Sequence, residues 1–157
     1  MEATSSFYAL ANSLSGQPVS YVWRGYGSAV FIEFGKLTPR ANRDGSPGHP
    51  KGEVSLGVKW SWRIEDETGI LCGSWSDEEI WEGSLARLRD RRVKGLALFS
   101  RLPEVELVTE DDTHFLSFST TEGQPQWHLV DRRTDPALWF TVRAGQLHLG
   151  DGSEPAF

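Results

Sequence analysis

The sequence has little cysteine, no long apolar run and fewer basic than acidic residues, and each shortage excludes a class of protein. Cys72 is the single cysteine, so no disulfide can form within the chain. No stretch approaches the roughly 18 consecutive apolar residues of a membrane-spanning helix, and residues 1–16 show no secretory signal. The 16 Lys and Arg against 22 Asp and Glu give a formal charge of −6, which disfavours nucleic-acid binding. We therefore expect a cytoplasmic protein without a membrane or nucleic-acid partner.

The chain also lacks the motifs of the common catalytic and cofactor sites. It has no G-x-S-x-G nucleophile elbow, no G-K-[ST] phosphate loop and no C-x-x-C or H-E-x-x-H metal motif. Gly25 and Gly27 are followed by Val30 and a predicted strand, where a dinucleotide loop has a third glycine and a helix. These glycines therefore predict a hairpin turn, and we expect no cofactor, no metal and no identifiable catalytic residue.

Histidine leaves one metal alternative open. His114, His128 and His148 lie on predicted strands, and they would be candidate ligands if those strands were neighbours. The pairing order cannot be derived from the sequence, and structural positions are the simpler interpretation.

The 157 residues favour one domain over 1–157, with two helices. Apolar residues at 7, 10, 11 and 14 have helical spacing and predict a helix over 4–14. A second helix is predicted over 77–90, where Ser76 and Glu79 have the spacing of a capping box. Ile80, Trp81, Leu85 and Leu88 are expected on its core side.

Alternation of apolar and polar residues predicts strands over most of the remaining chain. The clearest signal runs over 53–65, where every second residue from Val54 to Ile64 is apolar. Short strands with turn signals follow from residue 93 onward. We therefore predict a mostly antiparallel α+β fold, in which about nine or ten strands form a curled sheet, either a sandwich or a partly open barrel.

Residues 36–52 break every pattern and predict a long flexible loop. The segment contains several prolines and glycines, and its charge is basic: Lys36, Arg40, Arg43 and Lys51 stand against Asp44. Loops of this length are often functional. The segment is either a flap that contacts a phosphate or an acidic partner, or a solvated connection.

Three blocks of the sequence carry a resemblance to a known set of proteins. They are "SGQPVSYVWRGYGSAVFIEFG", "GEVSLGVKWSWRIEDETGILCGS" and "LPEVELVTEDDTHFLSF", and they span roughly residues 14–130. The chain resembles small uncharacterised bacterial proteins that carry a domain of unknown function, some of which are similar to immunity proteins of toxin systems. The resemblance implies a non-catalytic inhibitor and supplies no catalytic residue.

The leading functional hypothesis is a non-catalytic binding protein, in its specific form an immunity-type inhibitor, with a basic protein partner. An acidic surface with aromatic residues would meet that partner. Its candidate residues are Trp75, Trp81, Glu104, Glu106, Glu110, Asp111 and Asp112.

The alternative hypothesis is a small-ligand-binding barrel. Seven tryptophans can build either an aromatic core or an aromatic-lined pocket. The candidate pocket residues are Trp23, Trp60, Trp62 and Trp127, with the loop 36–52 across the mouth.

Overall fold

A computed structural model describes residues 2–123 and 125–151 of the chain. Within these ranges it contains two α-helices and eleven strands. The elements are α1 Ala3–Leu14, β1 Val19–Arg24, β2 Val30–Phe34, β3 Val54–Val58, β4 Trp62–Asp66, β5 Gly69–Gly73, α2 Trp81–Ala86, β6 Val93–Phe99, β7 Glu104–Thr109, β8 His114–Ser117, β9 Trp127–Asp131, β10 Leu138–Arg143 and β11 Gln146–Gly150.

The strands form two sheets in which every described pair is antiparallel. The six-stranded sheet has the order β1-β2-β3-β9-β10-β11, and the five-stranded sheet has the order β5-β4-β8-β7-β6. Inward-facing side chains of both sheets, among them Ile32 and Leu56 from the first and Ile64, Leu107 and Phe115 from the second, join one hydrophobic cluster. The fold is therefore an open sandwich. The predicted class, a mostly antiparallel α+β fold, is confirmed.

The sheets meet at one corner but do not close into a barrel. The Val19 amide donates to the carbonyl of Arg91 at 2.8 Å, and the Val93 amide donates to the carbonyl of Gln17 at 2.8 Å. These bonds connect the start of β1 to the start of β6. Of the two architectures predicted, the sandwich is confirmed.

Helix α1 packs against both sheets through its apolar face. Phe7 is fully buried, and its ring meets Trp127 and Phe140 edge-on at centroid distances of 6.3 and 5.8 Å. On the other side, the hydroxyl of Tyr8 accepts a hydrogen bond from the Leu98 amide at 3.1 Å. The helix predicted over 4–14 is confirmed to within one residue.

The glycines between β1 and β2 form the predicted hairpin turn. The Gly25 amide donates to the carbonyl of Ala29 at 2.9 Å, and Gly27 has a φ of +65°, which glycine adopts without a Cβ clash. Trp23 and Phe31 are cross-strand partners beside this turn.

The prediction of one continuous strand over 53–65 is wrong. β3 ends at Val58 in the six-stranded sheet, and β4 begins at Trp62 in the five-stranded sheet. Trp60, which lies in the crossover, is 45% exposed. Val58 and Trp62 both face the core and are an even number of residues apart, so the alternation continues across the break and conceals it. This split raises the predicted nine or ten strands to eleven.

The helix predicted over 77–90 is also too long. A 3-10 turn, Glu78–Ile80, precedes the short α2. The Ser76 hydroxyl accepts from the Gly73 amide at 2.9 Å and does not cap a helix. After α2 the chain leaves the helical path because Asp90 and Arg91 bond to the backbone of Val19.

The core side of this segment is only partly as predicted. Trp81, Leu85 and Leu88 are buried, whereas Ile80 is 49% exposed. Among the described residues, no helix has both the length and the apolar character needed to cross a membrane.

We expect Phe7→Ala to lower the free energy of unfolding by about 3–5 kcal/mol, because it leaves a cavity between α1 and the aromatic residues of β9 and β10. Thr4→Ala, at an exposed position of the same helix, should change it by less than about 0.5 kcal/mol. Urea denaturation followed by tryptophan fluorescence measures both, and equal effects of the two variants would show that α1 does not depend on Phe7.

Candidate functional site

The structure corrects the surface positions of Glu104 and Trp81. Glu104 is only 8% exposed, and its carboxylate accepts from the Ser117 hydroxyl at 2.7 Å and the Ser119 amide at 2.6 Å. β7 is not an edge strand, because it lies between β8 and β6, and Ser117 at the end of β8 and the following Ser119 contact this carboxylate. Trp81 is 3% exposed and meets Trp62 edge-on at 5.2 Å.

The other acids of the 104–112 run remain partly or fully exposed, but each has a partner. Glu106 lies 3.0 Å from His114, Glu110 accepts from the Arg92 amide at 3.2 Å, and Asp111 and Asp112 lie 3.7 and 2.7 Å from Arg91 and Lys94. Of these four acids, Asp111 and Asp112 are therefore paired with a basic side chain, whereas Glu110 is bound by a neutral backbone amide.

The four tryptophans of the ligand-pocket hypothesis do not line one pocket. Trp62 and Trp127 are buried in the core, where Trp62 stacks on Phe115 at 5.9 Å. Trp23 lies on the outer face of the six-stranded sheet, stacked on Phe31 at 4.2 Å. Trp60 lies in the exposed crossover between the sheets.

Exposed aromatic residues gather instead at one end of the sandwich, on adjoining turns. Tyr26 is 100% exposed and Trp75 is 87% exposed. They lie on the β1–β2 turn and on the segment after β5, next to the crossover that carries Trp60. Together with Ile80 they form what we call the aromatic end (Tyr26, Trp60, Trp75 and Ile80).

Hydrogen bonds to the chain around Trp62 hold these turns together. The Ser28 hydroxyl donates to the carbonyl of Trp60 at 2.7 Å, and the Trp62 indole donates to the carbonyl of Ser28 at 2.7 Å. The Ser74 amide donates to the carbonyl of Trp62 at 3.0 Å. The backbone that carries the aromatic end is thus held by hydrogen bonds between the turns.

Acidic residues border the aromatic end. Asp77 and Glu79 are exposed, and within the described chain neither has a basic nitrogen within 4.0 Å. Glu78 pairs with Arg24 at 3.1 Å, and the Arg24 guanidinium lies 4.3 Å from the centre of the Trp81 ring.

A polar centre around Glu33 lies on the outer face of the six-stranded sheet. The Glu33 side chain is nevertheless fully buried. Its carboxylate accepts hydrogen bonds from the Trp23 indole at 3.0 Å, from the Gly52 amide at 2.9 Å and from the Ser55 hydroxyl. Arg132 donates to the Ser55 hydroxyl at 2.6 Å.

The segment 36–52 folds back as an irregular hairpin over this centre. Thr38 and Lys51 exchange backbone hydrogen bonds of 2.7 and 3.0 Å, and the Gly48 amide donates to the carbonyl of Arg40 at 2.8 Å. Beside it lies a pocket of about 370 Å³, here called the cation pocket, lined by Thr38, Arg40, Lys51, Gly52, Glu53 and Arg132. The sequence signals the basic loop but not the contribution of Arg132.

His128 lies on β9, opposite Gly57 of β3, and is 6% exposed. Only glycine fits there, because a Cβ on Gly57 would stand 2.3 Å from His128 Cε1. Burial, together with the positive charges of Lys51 and Arg132, lowers the pKa of His128 to about 3. The imidazole is therefore neutral at physiological pH.

The three histidines of the metal alternative are not brought together. His114 lies in the five-stranded sheet, whereas His128 and His148 lie in the six-stranded sheet on either side of Thr141. Among the described residues, Glu65, Glu106 and His114 have potential ligand atoms within 4.8 Å of one another. Arg63 pairs with Glu65 at 2.8 Å, and His114 is hydrogen-bonded to Glu106 at 3.0 Å, so contacts within the protein account for this group.

A larger pocket of about 730 Å³ lies at a different place, between the β6–β7 turn, the segment before β9 and the β10–β11 turn. Its lining includes Leu102, Glu104, Gln126, Trp127 and Arg143. Trp127 is thus the one tryptophan of the ligand-pocket hypothesis that reaches this pocket.

Comparison of the chain with protein-family models, with curated proteins and with solved structures gives no match.

Neither Tyr26 nor Glu33 is among the site residues predicted from the sequence. The signal for Glu33 was present, because it is the one charged residue in the apolar strand "AVFIEF", and a buried charge needs partners. Tyr26 shows no such signal, since a turn residue between two glycines is exposed in most hairpins.

We expect His128 to weaken the fold as the pH falls. Its pKa of about 3 lies below the ordinary 6.5, so between these values the unfolded chain binds a proton that the folded chain does not. The free energy of unfolding therefore rises with pH in this window, by at most about 1.4 kcal/mol per pH unit from this group. Urea denaturation between pH 4 and 7 measures the slope.

His128→Gln should flatten this slope, whereas His148→Gln, at an exposed position two strands away, should leave it unchanged. An identical slope in the wild type and in His128→Gln would contradict the assignment.

Proposed function

We propose that the protein is a non-catalytic binding protein that docks a basic protein partner on its aromatic end. The observation that carries this proposal is the exposure of Tyr26 and Trp75 on turns that are joined through the chain around Trp62.

Exposure of such large apolar side chains is costly unless another surface covers them. An aromatic side chain can bury about 150–250 Å², and contiguous exposed apolar patches in folded proteins mark interaction sites. Tryptophan and tyrosine also contribute most to binding energy in many protein interfaces. The turns are held by hydrogen bonds, so little conformational entropy is lost on binding.

The charge around the patch favours a basic partner. Asp77 and Glu79 border the patch without a described ion pair, and the whole chain carries a formal charge of −6. Exposed acids at the rim of an interface increase the rate of association with a basic surface. The acids proposed to meet the partner are thus those of 77–79 and not those of 104–112. Trp75 is kept from the surface predicted from the sequence.

The specific form of the proposal is an immunity-type inhibitor, which would block a basic protein by covering its surface. Its support is the resemblance of the sequence blocks together with the chemistry of the aromatic end. Inhibition of the recovered partner's own activity is the measurement that separates this form from plain binding.

We expect Trp75→Ser to weaken binding of the partner by roughly thirtyfold, or about 2 kcal/mol. The partner is first recovered by affinity capture from the native cells with the wild-type chain, and binding is then measured by biolayer interferometry. The matched control is Leu102→Ser, which removes another exposed apolar side chain at the β6–β7 turn. Equal loss with both variants, or none with Trp75→Ser, would place the interface elsewhere.

We expect the double variant Asp77→Asn/Glu79→Gln to associate roughly three to ten times more slowly with a basic partner at low salt. The dissociation rate should change little, because exposed rim charges act mainly on encounter. Glu67→Gln/Glu122→Gln removes the same number of charges at exposed positions outside the aromatic end. If this control slows association equally, the net charge of the chain, and not the border of the aromatic end, controls the rate.

The small-ligand hypothesis remains as a second candidate because of the 730 Å³ pocket beside Trp127. That pocket has an apolar wall from Leu102 and Trp127 and charged groups from Arg101, Glu104 and Arg143. Capture of no protein partner, together with ligand-induced stabilisation that Leu102→Arg abolishes, would favour this function over protein binding.

A further inference from the structure

The cation pocket is a local reversal of charge in an acidic protein. The chain has a formal charge of −6, yet the pocket lining contains Arg40, Lys51 and Arg132 against the single acid Glu53. Two of the cations come from the segment 36–52, and the third comes from the connection between β9 and β10. Only the tertiary fold brings them together.

The backbone around the pocket is held in place. Arg132 donates through its guanidinium to the carbonyl of Gly52 at 3.2 Å, and its amide donates to the carbonyl of Glu53 at 2.8 Å. The Thr38–Lys51 backbone pair closes the other side. The pocket is therefore formed before any ligand binds, which lowers the entropic cost of binding.

The three cations are not neutralised by close ion pairs. Among the described residues, no carboxylate oxygen lies within 4.0 Å of the charged nitrogens of Arg40, Lys51 or Arg132. The Lys51 ammonium lies 4.7 Å from the centre of the Trp23 ring. Burial lowers the pKa of Lys51, the nearby Glu33 carboxylate opposes this, and the positive charges of Arg132 and Arg40 lower it further. An anion in the pocket would reduce the electrostatic repulsion among these three cations.

We propose that the cation pocket binds a small tetrahedral oxyanion, phosphate or sulfate, either free or as a monoester. The Arg40 guanidinium can donate to such oxygens, and so can the Arg132 nitrogens other than Nη1, which donates to Gly52 and Ser55. The Lys51 ammonium adds a point charge. Thr38 also lines the pocket, and a threonine hydroxyl can act as a neutral donor. The volume of about 370 Å³ leaves room beside the anion for the organic part of a monoester.

This site is separate from the aromatic end and does not rest on the proposed function. The turn that carries Tyr26 leads into the start of β2, whereas the segment 36–52 follows its end. The five residues of β2 place the two sites roughly 17 Å apart along the strand direction. A failure of anion binding would therefore leave the protein-binding proposal untouched, and the reverse also holds.

The test is a titration of the ¹⁵N-labelled full chain with inorganic phosphate, inorganic sulfate and glycerol phosphate, each at constant ionic strength. Constant ionic strength is needed because general screening alone alters exposed charges. We expect saturable shifts of the Lys51 and Gly52 amide signals with one or more of these probes. Tighter binding of glycerol phosphate than of phosphate would identify a monoester site, and the opposite order a free-anion site.

The matched variants are Arg40→Gln and Arg43→Gln, which remove the same charge from exposed positions of the same segment. Only Arg40 lines the pocket. We expect Arg40→Gln to weaken the affinity at least roughly tenfold, and Arg43→Gln to change it less than about twofold. Equal losses with both variants, or no saturation with any of the three probes in the wild type, would overturn the proposal.

Discussion

The packing of Trp62 is the interaction on which the arrangement of this sandwich most depends. A buried indole must place its single N–H against an acceptor, and Trp62 donates to the carbonyl of Ser28 in the turn of the opposite sheet. Its ring stacks on Phe115 within its own sheet and meets Trp81 of α2 edge-on. One side chain thus connects both sheets and α2. The turns that carry Tyr26, Trp60 and Trp75 take their relative positions from it, so the aromatic end follows from a requirement of the core.

The buried charge of Glu33 organises the end of β2 that lies away from the Tyr26 turn. Glu33 is withdrawn from water on β2, and its carboxylate needs donors close by. The Trp23 indole, the Gly52 amide and the Ser55 hydroxyl supply them, and the bond to Gly52 draws the end of the segment 36–52 onto the sheet. The cations of that segment then stand beside Arg132. The core and the surface charge are linked here, because the carboxylate that requires donors also holds the wall of the cation pocket.

Local signals predicted local structure well. Gly25 and Gly27 identify a hairpin because the turn geometry depends on a few adjacent residues, and the spacing of Phe7, Leu10 and Leu14 identifies α1 for the same reason. The predictions are wrong where contacts between residues distant in sequence determine the structure. The crossover at Trp60 keeps an even spacing, so alternation cannot reveal it. The helix after Ser76 stops early because Asp90 and Arg91 bond to Val19, which lies far earlier in the chain.

The sequence by itself determined the antiparallel class, the turn at the glycines, the impossibility of an internal disulfide and the basic character of the segment 36–52. Composition and short-range spacing are sufficient for these properties. Only the tertiary structure decided which charges remain uncompensated. The acids of 104–112 lie close together in sequence, yet Glu104 is buried against hydrogen-bond donors, and Asp111 and Asp112 pair with Arg91 and Lys94. Arg132 is far in sequence from Arg40 and Lys51, and it still lines the same pocket. Electrostatic interaction depends on distance in space, and strand pairing sets that distance independently of separation along the chain.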